Sequence, residues 1–296
     1  MKQQPKYPIY VISKGRADCC YTAQFLTNDG CNFILAVEPQ EEDQYRQHFP
    51  NANIVTTPFK NLGLGSIPVR NFVWEHSKQN GHARHWILDD NIRDVYRKYK
   101  TQRIRCNAVP AFLACEEFTD RYTNIAISGM NYTMFAVPKK QPPFYLNNHV
   151  YSCLCIDNNL EQRWRGRYNE DTDLCLQVLA AGYCTVLFNA FLINKMRTMT
   201  MKGGNSAQLY QGDGRLTMAR SLERLWPGVV STDRRYGRPQ HVVKDSWKKF
   251  DTQLIRKQDL DLSALTDHNE FGMKLKQLTS EVKSQHIRNL LDGEVN

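Results

Sequence analysis

Short apolar runs alternate with helical segments through the first ninety residues, and this alternation restricts the fold more than any other feature. Pro8-Ile9-Tyr10-Val11-Ile12-Ser13 reads as a buried strand ending in Lys14-Gly15-Arg16. Ala17 to Leu26 follows as a short helix closed by Asn28-Asp29-Gly30. Asn32 to Val37 is a second strand, Gln40 to His48 a polar helix, and Ala52 to Thr57 a third strand. A Gly-containing loop, Asn61 to Ser66, leads into a helix from Ile67 to Ser77, and Trp86-Ile87-Leu88 is a fourth strand running into Asp89-Asp90-Asn91. Strands alternating with helices imply an α/β fold with a mixed, mainly parallel sheet flanked by helices. In such sheets ligands bind outside the carboxyl ends of the strands. Lys14-Gly15-Arg16 and Asp89-Asp90-Asn91 should therefore face one crevice.

Beyond Asn91 the pattern changes. Ile92 to Tyr99 reads as a polar helix or turn and Ala108 to Tyr122 as a long helix. Asn124 to Ser128, Met134 to Val137 and Asn148 to Ile156 read as strands, Asp171 to Ala181 as a helix stopped by Gly182, and Cys184 to Ile193 as a further apolar strand. The remainder is loop-rich and basic, with Lys202-Gly203-Gly204-Asn205 as a flexible loop, and the last forty residues look helical and polar. The expected organisation is a core over 1–194, a basic extension of the same domain over 195–257, and a helical tail over 258–296. Apolar stretches such as Cys184 to Ile193 fall short of the roughly 18 residues of a membrane span, and Met1 to Arg16 lacks the apolar centre of a secretory signal. Nine cysteines without a C-x-x-C pair or zinc-finger spacing suggest reduced thiols in a cytoplasmic protein.

Charge supplies the first functional clue. The chain holds 39 Lys and Arg against 30 Asp and Glu, and the segment Lys195 to Lys257 alone holds 14 basic and 5 acidic residues. A localised basic face is the footprint of a polyanion partner such as nucleic acid; a solvated basic surface without a partner is the plainer alternative. Within this block Arg234, Arg235, Arg238, Lys244, Lys248 and Lys249, with Tyr236 and Trp247 interleaved, are expected to contact DNA phosphates. Upstream, Arg163-Trp164-Arg165-Gly166-Arg167-Tyr168 alternates cations with aromatic rings, which suits stacking on a base while gripping backbone phosphate, or else a surface turn.

Two acidic clusters carry the chemistry. Burying Asp89 and Asp90 at a strand end is costly without compensation. A hard cation such as Mg²⁺ or Mn²⁺, bound by Asp89, Asp90 and Asn91, would compensate; a helix N-cap is the structural alternative. Asn169-Glu170-Asp171-Thr172-Asp173-Leu174 opens a helix, where acidic residues also suit the dipole. In the functional reading one of its carboxylates, Asp171 or Glu170, is a general base for an acceptor hydroxyl.

The order Lys14-Gly15-Arg16, Gly65-Ser66-Ile67-Pro68-Val69-Arg70-Asn71, Ile87-Leu88-Asp89-Asp90-Asn91 and Asn169-Glu170-Asp171-Thr172-Asp173-Leu174 resembles glycosyltransferases of the GT-A fold. The start Pro8 to Arg16 and the basic run Arg234 to His241 more closely resemble the phage TET-associated glycosyltransferases, thought to place sugars on 5-hydroxymethyl-pyrimidines in DNA. The resemblance implies a nucleotide-sugar donor, most plausibly a UDP-sugar, bound by Ser13, Lys14, Arg16, Arg70, Asn71, Asp89 and Asp90. It implies a divalent metal on Asp89, Asp90 and Asn91, completed by a later histidine, His149 or more favourably His241, and Asp171 as the base. Asn91 departs from the usual final carboxylate, which weakens the ion's hold. The implied acceptor is 5-hydroxymethylcytosine, or another hydroxymethyl-pyrimidine, in double-stranded phage DNA, with Arg163, Trp164, Arg165, Arg167 and the basic block on the DNA. Glucose, arabinose and N-acetylgalactosamine are all compatible sugars. The alternatives are a glycan, lipid or protein acceptor, or a non-catalytic DNA-binding module on the same scaffold.

Overall fold

The computed structural model describes residues 3–137, 139, 141–196, 200–204, 214–235, 237–243 and 249–260. The chain divides into two units, Met1–Ile255 and Arg256–Asn296, and the second lies almost wholly outside the described residues. The helical reading of the tail lies outside them too.

The first unit is built on a ten-stranded sheet. Its opening half follows the alternation in the sequence: β1 (Ile9–Ile12), α1 (Tyr21–Asn28), β2 (Ile34–Val37), α2 (Glu42–His48), β3 (Asn53–Thr56), α3 (Ile67–Gln79) and β4 (Arg84–Asp89). β1, β2, β3 and β4 pair in parallel, as crossover helices require. Next come β5 (Ile92–Tyr99), β6 (Gln102–Cys106), α4 (Ala108–Asp120), β7 (Ile125–Tyr132), β8 (Phe144–Leu146), β9 (Cys153–Asp157), α5 (Glu170–Ala180) and β10 (Cys184–Lys195). The sheet order is β3-β2-β1-β4-β9-β7-β10-β5-β6, with β8 also on β10. Only β5, β8 and β9 run against the other seven strands, so the sheet is mixed and mainly parallel in direction.

Strands β6 and β8 are not read from the sequence, and two segments that are read from it take a different form. Ile92 to Tyr99 is a strand, not a helix or turn, because β10 and β6 pair with its two edges and Ile92 and Val95 enter the core. Met134 to Val137 is not a strand; a short 3₁₀ turn covers Thr133–Phe135. The segment after β10 is also more ordered than its composition suggests. α6 (Gly214–Leu225) packs on an antiparallel hairpin of β11 (Val230–Arg235) and β12 (Arg238–Val243), with Leu222, Val230 and Leu176 buried between them.

The core between the sheet and α3 and α5 includes Tyr10, Ile87, Trp74, Leu154, Leu174 and Val178. All nine cysteines are free, and those at 20, 31, 115, 153, 155, 175 and 184 are buried, where they serve as small apolar side chains. Among the described residues no helix is long and apolar enough to cross a membrane.

Candidate active site

β4 ends at Asp89, and the chain turns through Asp90 and Asn91 directly into β5. Thr22 of α1 holds this turn. Its hydroxyl donates to the Asp89 carbonyl at 2.6 Å and accepts from the Ile92 N–H at 2.9 Å, while its own N–H donates to the Asp90 carbonyl at 3.2 Å. A strand follows the triplet, so the helix-cap alternative drops out. Four donors meet the two carboxylates. Arg16 Nη1 lies 2.6 Å from one oxygen of Asp90, and Ser13 Oγ donates to the other at 2.8 Å. Arg70 Nη2 lies 2.9 Å from one oxygen of Asp89, and Lys195 Nζ 2.8 Å from the other. Burial pushes Asp89 up, but Lys195 and Arg70 more than reverse this and hold it well below the ordinary carboxylate range. At Asp90 burial outweighs Arg16 and Ser13, and the carboxyl is raised.

The second acidic cluster opens onto the same cations. Asn169 precedes α5 in the left-handed region, φ 54°, a conformation that asparagine tolerates better than most residues. Glu170 accepts from Ser66 Oγ at 2.7 Å and lies 3.4 Å from Arg70 Nε. One guanidinium therefore joins Asp89 of β4 to Glu170 of α5, and it stacks on Trp164 with its carbon 4.7 Å from the ring centre. Asp171 differs from its neighbours. Its carboxylate accepts from the Thr172 N–H at 2.8 Å, and no cation pairs with it directly among the described residues. Burial raises its pKa; Arg70 and Lys195 oppose this from a distance, the charge of Asp89 adds to it, and the net shift is upward. A carboxylate of raised basicity without a cation paired to it is what proton abstraction from an alcohol needs.

Beside Asp171 lies a row of aromatic rings. Tyr132 and Tyr151 both feel its charge. Their ring centres are 4.3 Å apart, His149 lies 4.6 Å from Tyr151, and Phe135, 51% exposed, stacks on Tyr132 at 5.8 Å.

The other residues singled out for the donor are placed differently. Lys14 pairs with Glu38 at 2.7 Å. Asn71 spends both ends of its amide on the backbone of Trp164, at 2.9 and 3.2 Å. The Lys202-Gly203-Gly204 segment is not a free loop. Arg16 donates to the carbonyls of Lys202 and Gly203 at 2.8 and 3.1 Å, and the Gly204 N–H donates to the Lys14 carbonyl at 3.0 Å. A Cβ on Gly203 would meet the Gly15 carbonyl oxygen at 2.3 Å, so only glycine permits this approach.

The arginine–aromatic segment 163–168 is mostly structural. Trp164 is 2% exposed and has no face left for a base. Arg163 pairs with Glu75 at 3.0 Å and stacks on Trp74; Arg165 pairs with the fully buried Asp173 at 3.0 Å. Arg167 alone of the set is exposed without an ion pair among the described residues; its guanidinium packs on its neighbour Tyr168. Arg234, Arg235 and Arg238 cluster at the exposed tip of the β11–β12 hairpin, with Arg235 opposite Arg238, and Lys249 is exposed. Lys244 and Lys248, with Tyr236 and Trp247, lie outside the described residues. Trp226 Nε1 donates to Asp173 at 2.7 Å, and Asn169 Nδ2 to the Met218 carbonyl at 2.9 Å, so α6 is anchored to the start of α5.

The donor set does not suit a divalent metal. Mg²⁺ and Mn²⁺ need free carboxylate oxygens, and each oxygen of Asp89 and Asp90 already receives a cationic or hydroxyl donor. Asn91 Oδ1, buried without a partner, is a single neutral ligand. His241, in β12, lies close enough to His149 for the two rings to influence each other's charge. Among the described residues no three His, Cys, Asp or Glu side chains form a group able to hold an ion. On charge the residues named for an ion, Asp89, Asp90, Asn91 and His241, do not fit one: Arg70 and Lys195 hold the two oxygens of Asp89, and Arg16 holds one oxygen of Asp90.

Lys195, Ser66, Tyr132 and Ser152 were not legible as site residues. Lys195 had two signals: it opens the basic block Lys195 to Lys257, and it follows the apolar strand Cys184–Ile193 closely, at the kind of strand end that drew attention to Lys14.

A family model described as TET-Associated Glycosyltransferase matches residues 7–204. No curated protein matches. Among solved structures, a provisionally named nucleotide-diphospho-sugar transferase from Desulfovibrio desulfuricans superposes with a TM-score of 0.38 at 8% identity, over 62% of this chain and 80% of that one.

Proposed function

The chain belongs to the TET-associated glycosyltransferases, and from that membership we propose that it transfers a sugar from a UDP-sugar to the hydroxymethyl group of 5-hydroxymethylcytosine, or another hydroxymethyl-pyrimidine, in double-stranded phage DNA in the host cytoplasm. The observation that carries this reading is Arg70, which ties the acidic strand end to the acidic helix start and leaves Asp171 beside them without a cation of its own.

In this reading the donor lies across the carboxyl ends of β1 and β4, where Ser13, Arg16 and Asp90 are held together. Asp171 takes the acceptor's hydroxyl proton as its oxygen attacks the anomeric carbon. A single displacement of this kind inverts the sugar's configuration. The hydroxymethyl substituent lies in the major groove, so it can be reached with or without flipping the base. The arginines at the hairpin tip suit a phosphate backbone, and the exposed ring of Phe135, stacked on Tyr132, suits a planar base.

The test is mass spectrometry of nucleosides from plain and hydroxymethylated DNA incubated with a panel of UDP-sugars. A hexose or pentose adduct on the hydroxymethylated base alone is expected. Transfer to a glycan or protein acceptor with none to DNA would overturn the acceptor assignment and leave the transferase activity standing.

A further inference from the structure

Lys195 belongs to none of the motifs that marked this site, yet it sits at its centre. It is the last residue of β10, and the β10–β5 register sets it opposite Ile92, the residue after the acidic triplet. The Met196 N–H donates to the Asn91 carbonyl at 2.9 Å and fixes that placement. The ammonium spends its donors on Asp89 Oδ2 at 2.8 Å, Ser152 Oγ at 2.5 Å and, at a longer 3.3 Å, the Tyr132 hydroxyl. Its side chain remains 16% exposed and its charge is felt by Asp171, so it borders the crevice in which transfer takes place. Arg70 holds the other oxygen of Asp89 and keeps Nη1 buried without a partner, a spare charged donor. An ion bound to Asp89 would have to displace one of these two cations and then lie against the other.

We infer that Lys195, assisted by Arg70, performs the task for which the acidic triplet suggested a divalent ion: it neutralises the diphosphate of the donor and carries the charge of the leaving group, so that donor binding and transfer proceed without a metal. This rests on the nucleotide-sugar reading above and gives that site its source of positive charge. In the step, the acceptor oxygen forms a bond to the anomeric carbon. The bond from that carbon to the diphosphate oxygen breaks, and its electron pair leaves on the nucleoside diphosphate. The hydroxyl proton passes to Asp171. Lys195 stays protonated throughout and exchanges its long contact with Tyr132 for a phosphate oxygen. Preorganised cations aimed at developing charge act without reorganising during the reaction, and the Asp89 and Ser152 contacts supply that preorganisation here.

The experiment uses the full chain. Binding of UDP and of uridine is measured by calorimetry in EDTA and in Mn²⁺, for wild type, Lys195→Met and Lys195→Arg, with thermal melts to check folding. Wild type should bind UDP in EDTA within about threefold of its affinity in Mn²⁺. Lys195→Met should lose at least about thirtyfold in UDP affinity with uridine little changed, Lys195→Arg should recover most of that loss, and Mn²⁺ should not rescue the methionine variant. A structural role alone would move UDP and uridine together, which would overturn the assignment. UDP binding by wild type only in Mn²⁺ would overturn it too, while leaving the donor reading intact, and that arm decides even if the methionine variant fails to fold. If UDP, GDP, CDP, ADP and dTDP all fail to bind in either condition, the donor reading itself falls and this assignment falls with it.

Discussion

Arg70 is the joint of the site, and replacing it with methionine should destabilise the protein in a pH-dependent way. Its side chain is 5% exposed, 2.9 Å from Asp89 and 3.4 Å from Glu170, and it covers Trp164. Removing one partner of a buried ion pair costs about 3–5 kcal/mol because the other charge is left uncompensated. Two features reduce this. Lys195 still pairs with Asp89, and methionine keeps apolar contact with the indole. A net loss of about 2–4 kcal/mol remains, which for a domain of this size lowers the melting midpoint by about 2–4 °C per kcal/mol, or roughly 4–16 °C. Without Arg70 the folded-state pKa values of Glu170 and Asp171 rise further above their unfolded values, since Arg70 is the largest influence lowering each. The folded variant then binds protons that the unfolded chain releases, so its penalty is greatest at neutral pH and shrinks as pH falls and the carboxyls protonate. Melts followed by circular dichroism at pH 7 and pH 5 test this: the gap between wild type and Arg70→Met should narrow at the lower pH. An equal gap at both would mean that lost packing, not unpaired charge, accounts for it. A gap under about 2 °C at pH 7 would remove Arg70 as the joint.

Four further outcomes are expected. Asp171→Asn should reduce turnover by about 10²–10⁴-fold, leave UDP affinity within about twofold, and raise the melting midpoint slightly, since a half-buried carboxyl with raised pKa is replaced by a neutral isostere; wild-type turnover in this variant would remove Asp171 as the base. The raised Asp171 pKa also puts the acid limb of the wild-type rate profile above the ordinary aspartate value of about 3.9, activity falling as pH drops through it. Gly203→Ala should cost about 1–3 kcal/mol through the clash with Gly15 and the left-handed φ of 71°, and should weaken UDP binding while DNA binding is kept; unchanged UDP affinity would mean that the Arg16 latch does not shape the donor pocket. Replacing Arg234, Arg235 and Arg238 together with alanine should leave the fold intact and flatten the dependence of log affinity for DNA on log salt by about 0.9 per lost phosphate contact; an unchanged slope would take the hairpin tip off the DNA.

What sequence alone determined was local. The runs Ile9–Ile12, Ile34–Val37 and Trp86–Leu88 are short, apolar and bounded by charge or turn residues, so the parallel half of the sheet and the crevice at its carboxyl edge were legible from them. Asp89, Asp90, Glu170 and Asp171 were legible for the same reason: acids placed directly after a buried run or at a helix start need an explanation. Identity of the compensating charge was not legible. Period 2 and period 3.6 fit Ile92 to Tyr99 about equally, and its strand character comes from β10, nearly a hundred residues later; that pairing carries Lys195 to Asp89. Alternating arginines and aromatics at 163–167 give no sign of burial, yet tertiary packing turns Trp164 inward beneath Arg70 and leaves Arg167 outside. Spacing along the chain shows which groups stand at an edge, whereas the assignment of each acid to a cation depends on strand register and helix docking between segments far apart, and that arrangement exists only in the folded protein.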